Sequence, residues 1–172
     1  MIYNGEFRLR LADKKDLPFI TKLRTSPDVQ EQLGTYLITN ETKQERWLEA
    51  LQNDKENMYM ILEFNGTPVG EVRINDIDYI NRSICVGGDI SEEYRGNGYG
   101  QEMYNLIFKL GFDILGMHRI CLLVSANNKR AIHLYEKMGF LQEGCQRQAL
   151  LKNGKYVDFL MMSILEEEYR NE

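Results

Sequence analysis

The chain has 172 residues, 43% hydrophobic and 27% charged, with a formal net charge of −5 and a pI of about 5.2. That length suits one domain, residues 1–172, with a substantial core, and the composition is that of a soluble globular protein. The acidic balance argues against a nucleic-acid partner, no apolar run approaches a membrane span, and charges within residues 1–11 stand where a signal peptide would be apolar, so a cytoplasmic protein without a membrane partner is expected.

Residues 6–11 alternate Phe7, Leu9 and Leu11 with Glu6, Arg8 and Arg10, a half-buried strand. Residues 13–24 read as a helix that Asp13 or Asp16 can cap, with Pro18 near its first turn. Ser26-Pro27-Asp28 breaks the chain, and residues 29–39 carry no clear pattern. Asn40 caps a helix over 41–52, with Trp47, Leu48 and Leu51 on one face.

Residues 58–64 form a strand, Asn65-Gly66 a two-residue hairpin turn, 69–77 the returning strand and 83–90 the third strand of a meander. After a glycine-rich loop, Met103, Leu106, Ile107, Leu110 and Ile114 recur at helical spacing, so a core-facing helix is expected over 98–115, ended by Gly116. Residues 119–124 are a short, almost continuous apolar strand, as in a sheet centre. Asn127 or Asn128 caps another helix ending at Gly139, and two strands, 140–151 and 155–165, flank an Asn153-Gly154 turn. The layout β-α-α-β-β-β-α-β-α-β-β is an α/β arrangement on a mixed sheet. Cys85, Cys121 and Cys145 each lie in a strand-like run without CxxC spacing, which predicts buried, reduced thiols.

Two stretches carry chemistry. Arg95-Gly96-Asn97-Gly98-Tyr99-Gly100 stands between strand and helix. Its glycines let backbone N–H groups approach an anion, and the following helix adds its positive end, an arrangement suited to a pyrophosphate. There is no Lys-Ser/Thr after the last glycine and no acidic residue where a ribose clamp belongs, which disfavours ATP and NAD. The second stretch is Asn128-x-x-Ala131-x-x-x-Tyr135-x-Lys137-x-Gly139-Phe140. At ~100° per residue, positions 128, 131 and 135 share a helix face, and the small alanine leaves room for a ligand chain.

Together these stretches resemble the GNAT superfamily of acetyl-CoA-dependent N-acetyltransferases. The first matches that family's Q/R-x-x-G-x-G/A pyrophosphate loop, and the second is similar to its other cofactor segment. The hairpin Asn153-Gly154-Lys155-Tyr156-Val157-Asp158 resembles the branch of ribosomal-protein N-terminal, spermidine and amino-sugar N-acetyltransferases.

The resemblance implies a GNAT-type fold whose central mixed, mostly antiparallel sheet splays in the middle between flanking helices. Acetyl-CoA would be the co-substrate, with no metal. Gly88, Asp89 and Ile90 would pair with pantetheine, and Arg95, Gly96, Asn97, Gly98, Tyr99 and Gly100 would hold the pyrophosphate. Asn128, Ala131, Tyr135 and Lys137 would complete the cofactor side. Tyr135 would protonate the leaving sulfur. Where polyamine relatives often carry a strand glutamate, this chain has Cys85. Asp89, Glu71 or a water relay is left as the base. Glu31, Tyr36, Glu41 and Trp47 would line the acceptor site, Trp47 alternatively being a core residue. The acceptor is a small-molecule amine (a polyamine or nucleotide-linked amino sugar) or a protein N-terminus, and a homodimer is expected. The alternative is a CoA-binding sensor or structural module without catalysis. His118 and His133 have no ligand-spaced partners and are expected to hold no metal.

Overall fold

The computed structural model describes residues 1–32 and 39–171. Eight strands form one open sheet: β1 (Ile2–Asn4), β2 (Phe7–Leu11), β3 (Met58–Phe64), β4 (Thr67–Asp78), β5 (Ser83–Ile90), β6 (Arg119–Ser125), β7 (Leu141–Lys152) and β8 (Lys155–Leu165). Their spatial order is β1-β2-β3-β4-β5-β6-β8-β7. Every neighbouring pair is antiparallel except β5 and β6. That parallel pair is joined only at Ser83–Arg119, Ile84–Ile120 and Cys85–Cys121. Beyond it, β5 keeps its bonds to β4 and β6 its bonds to β8, so the sheet opens as a V.

The helices are α1 (Leu17–Arg24), α2 (Pro27–Gln32), α3 (Glu41–Gln52), α4 (Tyr99–Phe108), α5 (Lys129–Lys137) and α6 (Glu166–Arg170). Strand alternation sends Met60 and Leu62 into a core with α4 and α5, and Tyr59 and Ile61 into a smaller core with α1 and α3. Asn40 caps α3 as expected, accepting the Lys43 N–H at 3.0 Å. Pro27 does not merely break the chain. It opens α2, where its missing N–H is no loss.

Three expectations change. In β2 the alternation fails: Leu11 is 61% exposed while Arg10 is buried. Arg10 forks onto Asp16 with bonds of 2.6 and 2.7 Å and donates to Glu63 at 2.7 Å, so paired carboxylates replace the water it loses. The helix after the glycine loop is not regular to its end. Over Lys109–Ile114 it widens to a π-helix, which buries Phe112 and leaves Ile114 57% exposed. Of the three cysteines, Cys85 and Cys121 are half-buried, and Cys145 is exposed on the last hairpin.

Candidate active site

The opening of the V is a cleft of about 510 Å³. Residues 86–90 of β5 and 123–125 of β6 form two walls, and Arg95, Gly96, Gly98 and Gly100 close one end. Asn128, the N-cap of α5, with Ala131, Tyr135 and Lys137 of that helix, lines the third side. Two residues of the loop do not line the cleft. Asn97 is exposed and turns its amide to the Arg95 carbonyl at 3.5 Å. Tyr99 packs instead with Phe7, Phe64 and Tyr94, its ring centroid 4.9–5.6 Å from theirs.

The loop's glycines serve different needs. Gly96 and Gly98 have φ of +81° and +83°, which other residues adopt at a cost. At Gly100 the helices approach closely: a Cβ there would lie 3.0 Å from a terminal methyl of Leu134 of α5, which would have to shift. Gly98 is the N-cap of α4 and offers no side-chain cap; Gln101 donates its N–H to the Gly98 carbonyl at 2.9 Å, which leaves the N–H groups of Tyr99 and Gly100 as donors for an anion. The Arg95 side chain is a brace. It donates to the Ile90 carbonyl at 2.8 Å and pairs with Asp28 of α2.

On β5 the side chains alternate between two sides. Gly88 faces α4: a Cβ would fall 2.8 Å from both the Glu71 carbonyl and the Met103 sulfur. Gly87 and Asp89 face the other way, towards Arg73 of β4. There the Arg73 guanidinium pairs with Glu71 and lies 3.0 Å from Asp89, and Glu71 and Asp89 are direct cross-strand partners. Glu71 is fully buried rather than a strand-surface charge, and one of its oxygens has no hydrogen-bond partner among the described residues. Burial raises its carboxyl to about 7, against the opposing pull of Arg73. Arg24 of α1 approaches the same cluster, and burial lowers its pKa. Asp89 and Arg73 line the cleft; Glu71 lies behind them.

Tyr135 is 9% exposed. Its ring stands edge-on to Tyr104 at 5.3 Å and tilted against Phe140 at 5.8 Å. Burial raises its phenol above 10.0, so the hydroxyl carries its proton at neutral pH. Asn128 accepts the Ala131 N–H at 3.2 Å and so caps α5 while facing the cleft.

None of the described acceptor-side residues lines the cleft. Glu31 and Glu41 are exposed and do not line the cleft. Trp47 packs edge-on against Tyr59 at 4.7 Å, the core position open to it from the sequence. Tyr36 lies outside the described residues. The cleft instead includes Gln32, Arg73, Tyr104, His133 and Phe159. No sequence motif marks Arg73, and helical spacing sets His133 off the Asn128–Tyr135 face. Among the described residues no three metal-ligating side chains cluster.

This cleft between splayed strands, with a glycine loop opening a helix beside it, defines an acyl-CoA-dependent acetyltransferase. A profile described as the acetyltransferase (GNAT) domain matches residues 6–141, and the chain belongs to that family. It is an acetyl-CoA-dependent N-acetyltransferase. It is 30% identical over 173 residues to a spermidine N(1)-acetyltransferase of Vibrio cholerae, covering 98% of each chain. The crystal structure of the Vibrio cholerae spermidine N-acetyltransferase in complex with CoA and spermine superposes with a TM-score of 0.92 at 29% identity, covering 98% of this chain and 100% of that one. YdaF of Bacillus subtilis, provisionally a ribosomal N-acetyltransferase, is 25% identical over 178 residues, covering 98% of this chain and 96% of its own.

Proposed function

We propose that the protein acetylates a primary amine of a polyamine such as spermidine or spermine by direct transfer. The observation that carries this reading is the carboxylate pair Glu71 and Asp89 on the side of β5 opposite α4, of which Asp89 lines the same cleft as Tyr135. Likeness to a spermidine enzyme over nearly the whole chain supports the same acceptor class.

Several features fit acetyl-CoA. The end of β5 over residues 87–90 lines the cleft, the first turn of α4 offers N–H donors, and Asn128 and Ala131 line the opposite wall. The thioester supplies the acetyl group. Tyr135 holds the proton that the departing sulfur needs, and burial keeps it there at neutral pH. Glu71 has a carboxyl at about 7, suited to accept the proton of an ammonium ion. Because Glu71 lies behind the cleft wall, its proton passes by way of Asp89 or water. The Arg73 guanidinium holds both carboxylates in place. We extend the proposal to one domain over 1–172, a cytoplasmic location and self-association as a homodimer.

A second reading is acetylation of a protein N-terminus. It is favoured by the internal pairing of Arg73 with both carboxylates, which leaves less negative charge for a second ammonium group. Thiol release from acetyl-CoA with spermidine, spermine, short peptides and an amino-sugar nucleotide decides between them. Polyamines with the highest kcat/KM support the proposal; peptides ahead of polyamines support the second reading. CoA binding with no turnover of any acceptor would leave only a non-catalytic CoA-binding module.

A further inference from the structure

The two half-buried cysteines meet at the last rung before β5 and β6 part. Cys85 and Cys121 are register partners on adjacent parallel strands, so their side chains project to the same face. Neighbouring strands stand about 4.7–4.9 Å apart, inside the Cα range of about 4.4–6.8 Å that a disulfide spans. Both thiols open onto one recess of about 230 Å³, on the face turned away from α4. The acetyl-transfer chemistry uses neither.

The charges around the pair come from three strands. Arg119 of β6 lies two residues before Cys121 and forks onto Glu143 of β7, and Asp76 of β4 lines the same recess. The neighbouring Cys85 thiol lowers Cys121 below the usual thiol range, helped by Arg119 and opposed by burial, Glu143 and Asp76. The same contact, with burial, raises Cys85. One sulfur is thus set up as the attacking thiolate and the other as the resolving thiol.

We infer that Cys85 and Cys121 form a vicinal dithiol that closes to an intramolecular disulfide by exchange with a small-molecule disulfide such as oxidised glutathione. The Cys121 thiolate attacks one glutathione sulfur, forming a mixed disulfide and releasing one glutathione thiolate. Cys85 then gives its proton to solvent, and its sulfur attacks the Cys121 sulfur. The Cys85–Cys121 bond forms as the second glutathione leaves. Two protein thiols are oxidised, and one glutathione disulfide is reduced to two thiols. Cys145 takes no part: it lies on the last hairpin, where its thiol meets Asp158 at 3.7 Å.

The test uses the full chain, reduced and then incubated with oxidised glutathione at pH 8, followed by alkylation and peptide mass mapping. The expected product carries a Cys85–Cys121 cross-link with Cys145 outside it, alkylated or carrying one glutathione, and dithiothreitol returns all three cysteines to the alkylated pool. Cys85→Ser and Cys121→Ser should each stop at a mixed disulfide on the cysteine that remains, the Cys121→Ser variant more slowly. Circular dichroism checks that both variants fold, and the wild-type map stands by itself if they do not. The inference is overturned if wild-type Cys85 and Cys121 remain alkylatable, if both end as separate mixed disulfides, or if cross-links run between chains.

Discussion

Replacing Tyr135 by phenylalanine separates catalysis from packing. The ring is 9% exposed and held by Tyr104 and Phe140 at centroid distances of 5.3 and 5.8 Å. Phenylalanine keeps those contacts and removes only the hydroxyl. The stability change should therefore stay within about 1 kcal/mol, roughly 2–4 °C in Tm for a chain of this size. Loss of a proton donor to the departing sulfur costs about 10²–10⁴ in kcat, or roughly 2.7–5.4 kcal/mol of barrier. The assay is thiol release from acetyl-CoA at saturating amine, paired with a thermal melt and a CoA titration. A kcat within threefold of wild type, with CoA still bound, would refute the role given to the phenol.

Glu71→Gln tests the base. The wild-type carboxyl sits at about 7, so kcat/KM should rise with pH through that value as the carboxylate forms; the variant should lose that limb, while Asp89→Asn retains it at lower amplitude. The same shift has a stability consequence. Because the folded pKa lies above the ordinary 4.5, the buried acid favours the fold most at low pH, and its contribution is lost as pH rises from 4.5 through about 7. Wild-type and Glu71→Gln melts across that window should therefore converge or cross; parallel curves would contradict the buried-acid reading. Gly88→Ala should lower Tm by roughly 2–12 °C, because its Cβ meets a sheet-bound carbonyl at 2.8 Å and an overpacked site costs about 1–3 kcal/mol. Asn128→Ala removes the cap of α5 and should cost about 0.5–2 kcal/mol in a denaturant melt, with weaker CoA retention.

The sequence by itself determined what depends on near neighbours. Asn40 and Asn128 announce helix starts because a side-chain oxygen reaches N–H groups three residues on. Asn65-Gly66 and Asn153-Gly154 announce hairpins because both positions of each turn have positive φ. The glycine loop and the Asn128–Tyr135 spacing picked out residues that line one cleft, since those residues act through local backbone shape and helix periodicity. Tertiary structure decided the rest. Arg10 is buried because Asp16 and Glu63 arrive from other elements, and the Gly88 contact exists only once α4 lies across β5. Tyr99 left the cleft for an aromatic cluster drawn from β2, β3 and the segment before the loop. Glu71 owes its raised pKa to being sealed between strands, and Cys85 meets Cys121 through a register set by the parallel crossover. No periodicity in one segment reports a charge, a clash or a thiol brought by another, because those energies are fixed by distance in space rather than along the chain.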